Sequence, residues 1–158
     1  MYGVFPIVLF LSLSSTVKTC YNGSMENDTV FGKIIRDEIP AAKVYEDGDC
    51  LAFLDINPVA KGHVLLIPKA HYVWIQDTPD ELLASLFIRA KRLIIAMKKS
   101  LGCDFVQVGV VGNEVPHFHI HLIPRHLKEE VSQTNRPHVP YENTAEMHAF
   151  AEKIKRSI

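Results

Sequence analysis

Apolar and polar positions along the chain fall into short runs whose period changes from stretch to stretch. Phe31 to Arg36 reads as a short amphipathic turn or helix, closed by Ile39-Pro40, because the residue before a proline is driven out of the helical region. Lys43 to Glu46 and Cys50 to Asp55 predict two strands, with Asp47-Gly48-Asp49 as a hairpin signal between them. After Asn57-Pro58 and Lys61-Gly62, the Val, Leu and Ile run from His63 to Pro68 predicts a buried strand. Leu82, Leu83, Leu86, Phe87, Ala90, Leu93, Ile94 and Met97 then recur at the spacing of one long helix. Thr78 is its expected N-cap, with Pro79 at the first helical position, Glu81 completing a capping box and Gly102 as the stop. Phe105 to Val111 and His117 to Ile123 predict two more strands around a short link at Gly112 to Pro116. Residues 126–142 are polar and carry Pro137 and Pro140, which predicts an irregular excursion. Asn143 to Ile158 predicts a closing helix capped by Asn143 and Glu146. The sum is an α+β fold: a mainly antiparallel sheet of about five strands, one long helix and a C-terminal tail helix.

Composition narrows this picture. A chain of 158 residues, 47% hydrophobic and 22% charged, suits one globular domain. A formal net charge of -1 gives no basic face for nucleic acid; Arg89, Lys91, Arg92, Lys98 and Lys99 are read as the solvated side of the long helix. Cys20, Cys50 and Cys103 are too few and too scattered for a disulfide framework or a zinc knuckle. Cys50 and Cys103 are expected as buried free thiols, in keeping with a reducing, cytoplasmic location. Residues 1–24 are read as a leader and 25–158 as the domain, with a core over 29–125 and an extension over 126–158. Val4 to Leu13 is too short to span a bilayer, so no membrane association is expected. Its length suits a signal peptide, but no Lys or Arg precedes it and no clean small-residue cleavage site follows. Export is the alternative to the cytoplasmic reading.

The candidate chemistry lies in His117-Phe118-His119-Ile120-His121. Alternation along a strand sends His117, His119 and His121 to one side and Phe118, Ile120 and Leu122 to the core. At about 3.3 Å per residue the outer imidazoles lie roughly 13 Å apart, with the middle ring between them. Partly exposed structural histidines explain one such residue better than three in line. Imidazoles at i and i+2 can share a zinc, although no CxxC or HExxH lies nearby. Imidazole is also neutral and nucleophilic near pH 7 and suits attack on phosphorus. These residues alone leave metal and nucleophile level.

Four segments taken in order resemble the histidine triad (HIT) superfamily, in particular its nucleotide-binding branch. They are Thr29 to Ile35 with Glu38-Ile39-Pro40, Leu51 to Pro58, Gly62 to His71, and His117 to Pro124. The resemblance implies an enzyme in which His119 attacks the α-phosphorus of a purine nucleotide and forms a nucleotidyl-histidine, which water then hydrolyses. It implies that His121 binds the phosphate oxygens, His117 orients the nucleophile through its backbone carbonyl, and His63 completes the network. Asp55 matches an acid that takes the ribose hydroxyls. Phe31, Ile34, Phe53, Leu54 and Ile56 match an apolar slot for the base. Asn113 and Glu114 stand where many members place Gln and Ser against phosphate and leaving group. His71 matches a histidine that joins a zinc site in members with two N-terminal cysteines; Thr29 and Gly32 occupy those positions here, so no metal and no cofactor is expected. The substrate implied is a nucleoside phosphoramidate or adenylate, with a dinucleoside polyphosphate or a binding and signalling role as alternatives. A homodimer is implied as well, with the long helix and the Phe105 to Val111 strand at its interface.

Overall fold

The computed structural model describes residues 28–112, 114–128 and 137–158. Residues 1–27, with the expected leader and Cys20, lie outside the described residues, as does Asn113. Strand pairing organises the rest. Strands β1 (Lys43–Glu46), β2 (Cys50–Leu54), β3 (Val64–Pro68), β4 (Phe105–Gly109) and β5 (Ile120–Arg125) form one sheet in the order β1-β2-β3-β5-β4, every pair antiparallel. The first hairpin closes because Asp47 Oδ1 accepts from the amides of Asp49 and Cys50, both at 2.9 Å. Helix α1 (Val30–Ile35) lies before the sheet, α2 (Asp80–Leu101) connects β3 to β4, and α3 (Thr144–Lys155) follows β5.

Both faces of the central strands are buried, which is why they read as continuous apolar runs. Ala52, Leu54, Leu66, Ile120 and Leu122 join Leu86, Leu93 and Met97 of α2 and Ile154 of α3 in the main core. Leu51, Phe53, Leu65 and Ile67 point the other way, against Phe31 and Ile34 of α1. Burying each such side chain is worth about 1.5–3 kcal/mol, so the two-turn α1 is held by its apolar pair and not by its length. Thr29 caps α1, its hydroxyl accepting from the Gly32 amide at 3.0 Å. Asn143 caps α3 through the Glu146 amide at 2.9 Å, as the sequence predicts. Cys50 and Cys103 are buried free thiols, and burial pushes Cys50 up to about 12.

Several expectations need correction. The last strand is Ile120–Arg125 and not His117 to Ile123. β3 pairs with β5 only as far as Leu66↔Ile120, and the Pro68 carbonyl beyond is taken by the His117 ring at 2.9 Å. β4 ends at Gly109, short of the expected Val111. The capping box of α2 does not form: Thr78 Oγ1 donates back to the Trp74 carbonyl, and Pro79 holds the cap position without a side-chain bond. Phe87, expected on the buried stripe, is exposed. Arg89, expected in solvent, reaches Asp47 at 2.5 Å and Asp49 at 3.0 Å, tying α2 to the first hairpin. No helix among the described residues is long and apolar enough to cross a membrane.

Candidate active site

The histidine run enters β5 from an irregular segment whose backbone is held from outside the sheet. The Phe118 amide donates to the Tyr72 carbonyl at 2.6 Å and the His117 amide to Val115 at 2.8 Å. The alternation of side chains persists even so. Phe118, Ile120 and Leu122 fill the main core, while His119 and His121 stand on the α1 face with their ring centroids 4.7 Å apart.

The hydrogen bonds fix the tautomers. His117 Nε2 lies 2.9 Å from the Pro68 carbonyl, which can only accept, so this nitrogen carries the proton. Its Nδ1 is then an acceptor facing the Thr29 hydroxyl at 3.5 Å. His119 Nδ1 lies 2.7 Å from the His117 carbonyl and must donate to it. In a neutral ring this leaves the lone pair on His119 Nε2. Phe31 packs its ring on both, with centroids 5.2 Å from His119 and 6.0 Å from His117.

A second chain of groups runs beside the first. His63 Nε2 and His121 Nδ1 are 3.0 Å apart and share a proton. His63 Nδ1 lies 3.2 Å from Asp55 Oδ2, an ion-pair distance without hydrogen-bond alignment. The other Asp55 oxygen accepts from the Asn57 amide at 2.9 Å. His121 Nε2 is buried with no well-formed partner among the described residues. Burial holds His63 down at about 3 and His117 at about 4. Burial, then the neighbouring His119, holds His121 at about 4. All three are therefore neutral near pH 7. Burial raises the Asp55 carboxyl above its ordinary value, against the Asn57 amide.

The expected base slot assembles only in part. Phe31, Ile34 and Phe53 pack together on the histidine face. Leu54 does not join them, because alternation along β2 turns it into the opposite core. Ile56 is 71% exposed on the loop after β2. Glu114 is exposed in the segment before the histidines. Residue types alone did not single out Trp74. It overlies Gly112, where a Cβ would meet the ring at 2.7 Å, and walls an apolar cavity of about 320 Å³ beside His119. Being the chain's one tryptophan was the available signal.

Two places bear on a metal. Around His117, Thr29 offers a single hydroxyl already engaged by Gly32, and His71 Nε2 donates to the Pro116 carbonyl at 2.8 Å. That set does not suit zinc. Asp55, His63 and His121 offer one ligand atom each, all within 4.8 Å of one another. The His63–His121 bond already engages one nitrogen of each ring.

A family model described as the HIT domain matches residues 36–128. The chain belongs to the HIT domain family. It is 40% identical over 109 residues to the Arabidopsis thaliana protein named adenylylsulfatase HINT3, covering 66% of this chain and 55% of that one. It thus spans little more than half that relative's length. It is 41% identical over 112 residues to the Saccharomyces cerevisiae adenosine 5'-monophosphoramidase HNT1, covering 70% of this chain and 71% of the yeast protein. Among solved structures, a HIT-like protein from Bartonella henselae superposes with a TM-score of 0.73 at 34% identity, over 84% of this chain and 97% of that one. The α+β sheet-and-helix architecture is therefore that of the HIT proteins.

Proposed function

We propose that this HIT protein hydrolyses a nucleoside phosphoramidate or adenylate at the α-phosphorus through a nucleotidyl-histidine on His119. The observation that carries the reading is the 2.7 Å bond from His119 Nδ1 to the His117 carbonyl, which leaves Nε2 free to attack. Nε2 forms a bond to phosphorus as the bond to the leaving group breaks; an amine departs by taking a proton from solvent, and the leaving group of an adenylate departs as its anion. Water then attacks the same phosphorus, the P–N bond breaks, and the nucleoside monophosphate leaves with the water oxygen. His121 Nε2 meets the phosphate oxygens, Asp55 takes the ribose hydroxyls, and the base lies against Phe31, Ile34 and Phe53. Glu114 is assigned to the leaving group, and Asn113 is assigned with it from the sequence resemblance alone. Two relatives are named for an adenylylsulfatase and an adenosine 5'-monophosphoramidase activity, which supports an adenylyl group here.

A substrate panel decides between readings. Adenosine and guanosine 5'-phosphoramidates, adenylyl sulfate and dinucleoside polyphosphates are compared on the parent protein and on His119→Asn. Phosphoramidate or adenylyl sulfate turnover is expected, reduced by roughly 10⁴-fold or more in the variant. Turnover confined to dinucleoside polyphosphates would favour that class, and activity that survives His119→Asn would sink the nucleophile.

The reading includes a homodimer. Phe87, Ile88 and Ile95 on α2 and Val108, Val110 and Val111 on and after β4 are each more than 40% exposed. β4 is an edge of the sheet, and an apolar edge beside an apolar helix face suits a second copy.

A further inference from the structure

The loop from Asp55 to His63 carries two members of the site, and its outer side is held by residues beyond the matched HIT domain. His138 Nδ1 donates to the Asn57 carbonyl at 2.5 Å. The Val139 amide donates to the Pro58 carbonyl at 2.7 Å. The Gly62 amide donates to Tyr141 Oη at 3.0 Å, and Lys61 Nζ meets Glu146 Oε1 at 2.5 Å. Four loop residues are thus tied to 137–146, while the domain match ends at residue 128.

Asn57 is the link to the chemistry. Its carbonyl is held by His138, and its amide donates to Asp55 Oδ1 at 2.9 Å. His138 thus fixes the peptide unit after Asn57 while Asp55 takes the amide of the unit before it, so a shift at Asn57 would change the direction in which the carboxylate is held. Burial raises the Asp55 carboxyl, and the Asn57 amide and then His138 oppose the rise, so the His138 ring lies within electrostatic reach of it. Gly62 is held at φ +90, and a Cβ there would meet Leu101 at 2.6 Å. The end of the loop is therefore packed against Leu101 as well as hydrogen-bonded.

We propose that residues 137–146 form a strap that sets the ribose side of the nucleotide site, with His138 as a positioning residue that orients Asp55 through Asn57. This rests on the reading of Asp55 as the ribose acid. A clamp that accepts two hydroxyls depends on carboxylate orientation, and small misplacements of such groups are costly. His138 is exposed, so its loss leaves both cores intact.

The test is calorimetric binding of AMP and 2'-deoxy-AMP to the full chain, which needs no turnover. The parent protein is expected to prefer the ribonucleotide by roughly tenfold, the worth of one hydrogen bond to a charged group. His138→Ala is expected to cut that preference at least threefold (about half of one such bond) with its melting temperature kept. His138→Gln, whose amide can donate to the same carbonyl, is expected to restore most of it. An intact preference in His138→Ala, or an equal loss for both nucleotides, overturns the strap alone. A parent protein that does not distinguish the two nucleotides, or binds neither, overturns the ribose role of Asp55 and the strap with it.

Discussion

His63 and His117 are buried and His121 half-buried, and the proton affinity of each is lowered in the folded chain, from 6.5 to about 3, 4 and 4. Such a group binds its proton more readily when unfolded. Its contribution is whole above pH 6.5 and is lost as pH falls from 6.5 towards 4. Each histidine supplies at most about 1.4 kcal/mol per pH unit in that window. His63 and His121 share a hydrogen bond and so take up protons as a pair. Asp55, raised by burial, works in the opposite sense and offsets part of the loss. Urea unfolding at pH 7 and pH 5 is expected to show a drop of about 1–3 kcal/mol at the lower pH; equal stabilities would contradict the neutral, buried network. At this scale the sequence was informative about which residues gather and silent about their protons. The period of two placed His119 and His121 on one face, and the resemblance named His63 and Asp55. The tautomers depend on the carbonyls of Pro68 and His117, two acceptors that every residue type offers alike. Leu54 lies apart from the slot for a plainer reason: motif matching ignores the alternation that turns it away from Phe53.

At the scale of elements, legibility followed the length and regularity of the hydrophobic pattern. β2, β3 and α2 were visible because both sheet faces and one helix face are buried, and hairpin and tail-helix caps were visible because Asp47 and Asn143 act on amides close in sequence. Boundaries set by distant partners were not. β5 begins late because a side chain, His117, occupies the carbonyl that a longer ladder would have used. Thr78 fails as a cap because its hydroxyl finds the Trp74 carbonyl at 3.3 Å. The role of residues 137–146 was invisible for the same reason, since His138 and Asn57 meet across 81 positions of sequence.

Among the described residues the sheet order leaves β4 with a partner on one side only, and Ile88 and Ile95 of α2 are exposed. Covering that face with a second copy accounts for the apolar exposure. Sedimentation equilibrium is expected to give twice the chain mass, and Ile88→Glu combined with Ile95→Glu to give the single-chain mass with the fold kept. A single-chain mass for the parent protein would remove the dimer from the account.

The proposed chemistry turns on a bond from His119 Nε2 to phosphorus. Its most direct measurement is intact-mass analysis of protein quenched in acid or base during turnover of an adenosine 5'-phosphoramidate, with peptide mapping of the product. A mass gain of one adenylyl group on His119 is expected, stable in base, labile in acid and absent from His119→Asn. Turnover without any adduct under single-turnover conditions, or an adduct mapped to another residue, would contradict it.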